Sequence, residues 1–255
     1  MDEIKQNRDF IKSNFARLEG ITTDQKRGLP QPSLQKPYDE ESAKIIELPE
    51  VDINVLKKTD IFRCLKERRS RRQFTSEYLS KKELSFLLWA TQGVDKVIKD
   101  GYATLRIVPS AGARHPFETY LVVNRVDEID NGVYRYLPLL HQLLFIFTED
   151  NMPEKLTEAN LGQRFVGDAP VVFVWSCIPY RGEWRYHISA AKAILLDAGH
   201  ICQNLYITAE AIGCGTCAIG AYDQESMDNL LRLDGNDEFV VYLAPVGKYE
   251  EGLKD

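Results

Sequence analysis

Glu67-Arg68-Arg69-Ser70-Arg71-Arg72-Gln73-Phe74 places four guanidinium groups and one hydroxyl in five consecutive positions, 68–72. On its N-terminal side, Asp60–Lys66 reads as a helix, with Ile61, Phe62 and Leu65 at i, i+1 and i+4. On its C-terminal side, Ser80-Lys81-Lys82-Glu83 has the form of a capping box that opens a second helix. The arginines therefore fall at a junction between two helices. Guanidinium forks match phosphate oxygens two at a time, and a serine hydroxyl adds a further bond. On pattern alone, a solvated charge run is the more frequent meaning of such a segment. The stretches further along the chain shift that balance.

The chain has 255 residues, 44% of them hydrophobic and 27% charged. A chain of this size buries roughly 70–75% of its unfolded surface, enough for one large core. We expect an extended arm over residues 1–55, lying on the core or on a partner subunit, and one domain over 56–255. The net charge of −6 argues against nucleic acid as a partner, since phosphate neutralisation needs a basic face. No apolar run reaches the ~18 residues of a membrane span, and MDEIKQNRDF lacks a signal-like apolar core. Cytoplasmic location is the expectation. Cys64, Cys177, Cys202, Cys214 and Cys217 sit mostly among apolar residues, as reduced buried thiols do.

Asn7–Leu18 has a helical pattern, and Gly28–Pro32 with Lys36–Tyr38 reads as an extended, proline-punctuated arm with little core of its own. Ile45, Ile46 and Leu48 could form a short strand. The helix after Ser80 sets Leu84, Leu87, Leu88 and Thr91 at core spacing and ends near Gly93. Strands are expected at Glu118–Asn124, Val133–Tyr136, Leu143–Phe147, Val171–Cys177 and Phe239–Val246, with short helices at Pro153–Ala159 and Gln224–Leu231. His187–Ile212 is the longest helical stretch. It is apolar on more than one side, which calls for a central position or a subunit interface. The sum is an α+β fold with a mostly antiparallel sheet packed by helices.

Several chemistries find no support. Cys214-Gly215-Thr216-Cys217 has a C-x-x-C spacing, but no second pair accompanies it, so a metal site is not expected. Ser110 lacks a nucleophile-elbow setting. Neither a P-loop nor a G-x-G-x-x-G fingerprint is present. Gly213, Gly215 and Gly220 suit close approach of backbone to a flat ligand, or a tight turn.

Three separated stretches, RRSRRQF at 68–74, PSAGARHPFETYLVV at 109–123 and GCGTCAIGAY at 213–222, together resemble the nitroreductase family of FMN-dependent oxidoreductases. The resemblance covers about residues 60–250. Within that superfamily the chain is most similar to the SagB-type dehydrogenases, through PSAGARHP at 109–116, LLDAGH at 195–200 and the arm DQKRGLPQPSLQKPY at 24–38. The resemblance implies a nitroreductase-like, intertwined homodimer that binds FMN at its interface. It implies hydride transfer by a ping-pong route between NAD(P)H and a small organic substrate. By the family's motifs, Arg68, Arg69, Ser70 and Arg72 would hold the phosphate and ribityl chain. Pro109, Ser110, Ala111 and Gly112 would lie against the isoalloxazine ring. The family's asparagine and glutamine fall on Ala113 and His115, which leaves Arg114 and His115 to replace those amides. Ile219, Gly220 and Ala221 would offer backbone N–H groups to the reactive edge, and Lys248 stands nearest the basic residue that relatives carry after the last strand.

SagB-type azoline oxidases carry a Lys-Tyr pair before the long helix, which maps onto Arg185-Tyr186. Arginine stays protonated and is a poor general base. Tyr186 with Arg185 beside it keeps a catalytic role open, and simple packing at the helix start is the alternative. Oxidation of an azoline in a ribosomal peptide, and flavin binding without catalysis, are the two other functions in view.

Overall fold

Phe117–Val123 and Val171–Cys177 contain no exposed side chain, which places them at the centre of a sheet covered on both faces. The computed structural model describes residues 2–13 and 15–250. In chain order the elements are α1 (Asp2–Ile11), β1 (Ile45–Glu47), α2 (Ile61–Glu67), α3 (Lys81–Gln92), β2 (Val94–Ile98), β3 (Ala103–Arg106), β4 (Phe117–Val123), β5 (Gly132–Leu137), β6 (Gln142–Phe147), α4 (Met152–Ala159), α5 (Arg164–Gly167), β7 (Val171–Cys177), α6 (Tyr180–Tyr186), α7 (Ala190–Ala211), β8 (Cys214–Thr216), α8 (Gln224–Leu230) and β9 (Phe239–Lys248). Short 3-10 turns lie at Phe15–Leu18, Ile53–Val55, Ala111–Ala113 and His187–Ser189.

Seven strands form one sheet in the order β1-β6-β5-β4-β7-β9-β8, with antiparallel neighbours throughout. The expected α+β fold with a mostly antiparallel sheet is therefore present. Strand alternation divides the core in two. Leu121, Val123, Phe173 and Trp175 pack with Leu84, Leu87 and Leu88 of α3 and Ile201 and Leu205 of α7. Tyr120, Val122, Val172 and Val174 pack with Leu156 of α4 and Met227 of α8. Each fully buried leucine here contributes about 1.5–3 kcal/mol by area burial.

The capping box at the start of α3 forms in both directions: Glu83 N–H donates to Ser80 Oγ, and Ser80 N–H donates to the Glu83 carboxylate. At the N-terminus the expected single helix over Asn7–Leu18 is split. α1 starts earlier, at Asp2, and ends at Ile11, before the turn at Phe15–Leu18. Arg8 in the last turn of α1 agrees with the helix dipole. The proline-rich arm crosses the chain's own body. Gln25 N–H donates to Trp184 O, Gln31 Nε2 to Gly101 O, and Lys36 N–H to the Glu118 carboxylate.

α7 is buried along Ile194, Asp197, Ala198, Ile201, Cys202, Leu205 and Ala209. Its Leu195 and Leu196 remain 49% and 57% exposed, as do Ile61, Phe62 and Leu65 on α2 at 62%, 68% and 54%. A hairpin of β2 and β3 and the short helix α6, which local sequence did not suggest, complete the frame around the site.

Candidate functional site

Beyond α2 the arginine run extends beside β8. Ser70 bridges Thr216, and Arg71 N–H donates to Thr216 O at 2.9 Å. A side chain on Gly215 would bring its Cβ within 2.6 Å of Arg71, so this approach requires glycine. The Tyr206 hydroxyl, on α7, lies 2.9 Å from Ser70 Oγ and accepts the Ala218 N–H at 2.8 Å. The Arg68 guanidinium stacks over the Tyr206 ring at 5.1 Å and has no carboxylate partner among the described residues. Tyr206 thus ties the 68–72 run to the 213–222 stretch. Arg72 is exposed beside them.

Arg69, expected to help hold the phosphate, is exposed and uses Nη1 locally. Its guanidinium donates to the carbonyls of Lys66 and Arg68 at 2.9 and 2.8 Å, satisfying the C-terminal end of α2.

The Pro109–Gly112 loop is anchored to the same long helix. Ser110 Oγ–H donates to Asp197 Oδ2 at 2.6 Å, and Ala111 N–H donates to Oδ1 at 3.1 Å. Ser110 Oγ also accepts the His115 N–H at 2.9 Å. Burial pushes the Asp197 carboxyl above its ordinary range, while the bonds from Ser110 and Ala111 pull it back. Asp197 and Tyr206 are nine residues apart, or about 13.5 Å along the helix axis. Gly112 has φ +60°, and a Cβ there would lie 2.3 Å from Tyr186 Oη and 3.0 Å from Arg185 Nε. The structure therefore brings Arg185 and Tyr186 onto the Pro109–Gly112 loop. Tyr186 is half-buried, meets the Phe15 ring edge-on at 5.8 Å, and its hydroxyl has no hydrogen-bond partner among the described residues.

Arg114 and His115 turn away from this surface. Arg114 donates to Gly112 O at 3.1 Å and Tyr102 O at 2.9 Å, and sits between the rings of Tyr102 and Trp184. The His115 ring is buried with Nε2 3.2 Å from Thr104 O. Burial, then the nearby Arg106 cation, lowers its pKa to about 3, so the imidazole is neutral near pH 7. The hydrogen bonds of both side chains run to Gly112 and to the β2–β3 region.

In the third stretch, Ile219 exchanges both backbone hydrogen bonds with Leu243, at 2.8 and 3.2 Å. Its N–H is spent in the sheet and cannot address a ligand, contrary to expectation. Gly220 and Ala221 are exposed, and a Cβ on Gly220 would meet nothing within 4 Å. Open backbone is therefore confined to Gly220–Ala221. Lys248 lies inside β9 and not after it. Its buried ammonium pairs with Glu83 at the capped start of α3. Burial lowers the Lys248 pKa, but Cys214 and Glu83 raise it further, so the cation is held for this pair. Cys214 and Cys217 belong to the two different core clusters, on opposite sides of the sheet.

The sequence reading missed Asp197 and Tyr206. A carboxylate inside the apolar run Ile194–Ile201 was a usable signal, since a buried charge needs partners. Tyr206 carried no comparable mark.

The model of the nitroreductase family matches residues 65–248. A protein of Methanocaldococcus jannaschii that carries a nitroreductase name is 34% identical over 203 residues, covering 80% of this chain and 96% of that protein. The trifolitoxin-processing protein TfxB of Rhizobium leguminosarum bv. trifolii is 29% identical over 149 residues, covering 57% of this chain but only 40% of TfxB. Among solved structures, a nitroreductase-named protein from Anabaena variabilis superposes with a TM-score of 0.71 at 24% identity. That match covers 89% of this chain and 46% of the other, so this chain spans about half its length.

Proposed function

Because the chain belongs to the nitroreductase family, a family of flavin-type oxidoreductases, we propose that it is an FMN-dependent enzyme using NAD(P)H and a small organic substrate in alternating half-reactions. One observation carries this reading: two loops of matching sequence are fastened to α7, one by Asp197 and one by Tyr206. The residues present fit FMN. Arg68 lacks a carboxylate partner beside the Ser70 hydroxyl, and Gly220 leaves open space where a side chain would stand. Bound there, FMN would supply two-electron hydride acceptance and donation.

The chain's own residues provide the setting. Arg68 and Arg72 would neutralise the phosphate, with Ser70 adding a hydrogen bond. The N–H groups of Gly220 and Ala221 would face the ring's reactive edge, and Pro109–Gly112 would form a wall. The Tyr186 hydroxyl, without a hydrogen-bond partner among the described residues, would hold a proton on the substrate side. The exposed leucines of α7 and the apolar face of α2 suit cover by a second copy of the chain. We include a homodimer in the proposal, to be tested by light scattering on the purified protein.

The decisive experiment is spectroscopic. Purified protein should be yellow, with absorption near ~450 nm from a bound oxidised flavin, and should bleach on anaerobic mixing with NADH or NADPH. A flavin-free protein that does not take up added FMN would end this reading. A flavin that stays oxidised with both nucleotides would leave binding without the proposed catalysis.

A second reading is oxidation of an azoline ring to an azole in a ribosomal peptide, as in SagB-type dehydrogenases. It draws on the TfxB relative and on the unpartnered Tyr186 hydroxyl beside Arg185. An azoline peptide incubated with the oxidised protein should lose two hydrogens by mass spectrometry. No mass change with any azoline peptide tested, alongside rapid turnover of quinones or nitro compounds, would dismiss it.

A further inference from the structure

The charge balance around Gly112 is uneven. Arg181, at the start of α6, is buried and paired with Glu118 at 2.6 Å. Arg185, one turn later, has no carboxylate partner among the described residues. Among the described residues its one polar contact is a long one, 3.5 Å from Nη1 to the Tyr102 hydroxyl, and it stacks 5.6 Å over the Tyr186 ring. Arg114 lies close by, also without a carboxylate, its donors turned to carbonyl oxygens. The two guanidinium groups repel one another, and Arg185 contributes to lowering the Arg114 pKa after burial. Two half-buried or buried cations without a counter-charge are costly unless a ligand supplies one. Beside Arg185 stands the Tyr186 hydroxyl, unpartnered among the described residues, and the Phe15 ring closes the apolar side.

Resting on the oxidoreductase reading, we propose that Arg185 and Tyr186 form an anchor for a carboxylate, so that the physiological substrate is a flat organic acid. The guanidinium gives one charge-assisted hydrogen bond or a fork, and the phenol hydroxyl gives another. The aromatic edge of Phe15 offers apolar contact to the ring or unsaturated body that carries the acid. Arg185 is a specificity-determining residue in this assignment.

The test compares an acid with its neutral isostere. In the flavin-loaded enzyme, kcat/KM for 4-nitrobenzoate should exceed that for 4-nitrobenzamide by at least about tenfold, the scale of a hydrogen bond to a charged group. The ratio should collapse towards one in Arg185→Gln and recover in part in Arg185→Lys. Calorimetry with benzoate and benzamide should give the same ordering of Kd without turnover. Equal values for acid and amide in the native enzyme would overturn the proposal. So would a preference that survives in Arg185→Gln, or a variant whose sole defect is a higher KM for NADH. Charge-selective binding by a protein that turns over no substrate would sink the oxidoreductase reading alone. Turnover without charge selectivity would sink the carboxylate anchor alone.

Discussion

Tyr206→Phe removes one oxygen atom and tests whether the α7 tie between the arginine run and the glycine-rich stretch serves ligand binding. The hydroxyl makes two hydrogen bonds, at 2.9 Å to Ser70 Oγ and 2.8 Å from Ala218 N–H. Each is worth about 0.5–1.5 kcal/mol net, and an N–H left without an acceptor costs about 1–3 kcal/mol. Ser70 is half-exposed and can turn to water, so the total should be about 2 kcal/mol. The ring remains, and with it the stacking of Arg68, worth about 0.5–1 kcal/mol at such a site. If the tie orders both loops before FMN arrives, most of the loss appears in binding, a rise in Kd of roughly 30-fold. Titration of apoprotein with FMN, followed by quenching of flavin fluorescence, reads the Kd. Urea unfolding of the same apoprotein reads the stability. A Kd within about twofold of native refutes the reasoning whatever the stability shows, because the hydroxyl would then serve packing alone.

Arg68→Ala combined with Arg72→Ala should yield protein that loses flavin during purification; normal flavin occupancy would contradict the phosphate assignment. Tyr186→Phe should slow substrate turnover while leaving flavin reduction by the nicotinamide intact, and unchanged turnover in single-turnover experiments would return Tyr186 to packing. Asp197→Asn should loosen the Pro109–Gly112 loop and cost about 1–3 kcal/mol. Because burial raises the Asp197 pKa above 3.8, the folded chain binds this proton more tightly than the unfolded chain does. Native stability relative to this variant should therefore rise as pH falls through the folded pKa, and a difference independent of pH would refute it. His115 has the opposite sign: its pKa is lowered from 6.5 to about 3, so its contribution is full above pH 6.5 and declines below it. Urea midpoints should show native protein losing up to about 1.4 kcal/mol per pH unit in that range, with a shallower slope in His115→Gln.

What the sequence made legible follows from where local pattern decides structure. The capping box at Ser80–Glu83 and the β-branched run Val171–Cys177 carry their structural meaning within a few residues, and both form as expected. The β2–β3 hairpin went unread because β2 has no buried residue and neither strand shows clean alternation. The turn takes positive φ at Lys99 and Asp100 as well as Gly101, which sequence does not announce. Arg69 shows a different limit. Four arginines in five positions offer several ways to present cations, and which ones reach a ligand depends on how α2 ends. That geometry gives the Arg69 guanidinium to two carbonyls. The Ile219 N–H and the Lys248 ammonium are engaged by distant residues, Leu243 and Glu83, and no local pattern announces either pairing.

The polar residues of α7 explain why an otherwise apolar helix organises the site. Burying the Asp197 carboxylate is costly, and hydrogen bonds from Ser110 and Ala111 offset that cost only while the Pro109–Gly112 loop holds its turn. The Tyr206 hydroxyl similarly adds two bonds between segments that already meet at Ser70, Arg71 and Thr216. Both anchors sit on one rigid helix, so the spacing between the loops is fixed by its rise rather than by loop stiffness. Leu195 and Leu196 lie within two residues of Asp197 and remain exposed. Any surface that covers those leucines bears directly on the anchor of the loop that carries Gly112, and so on the approach of Tyr186 and Arg185 to it.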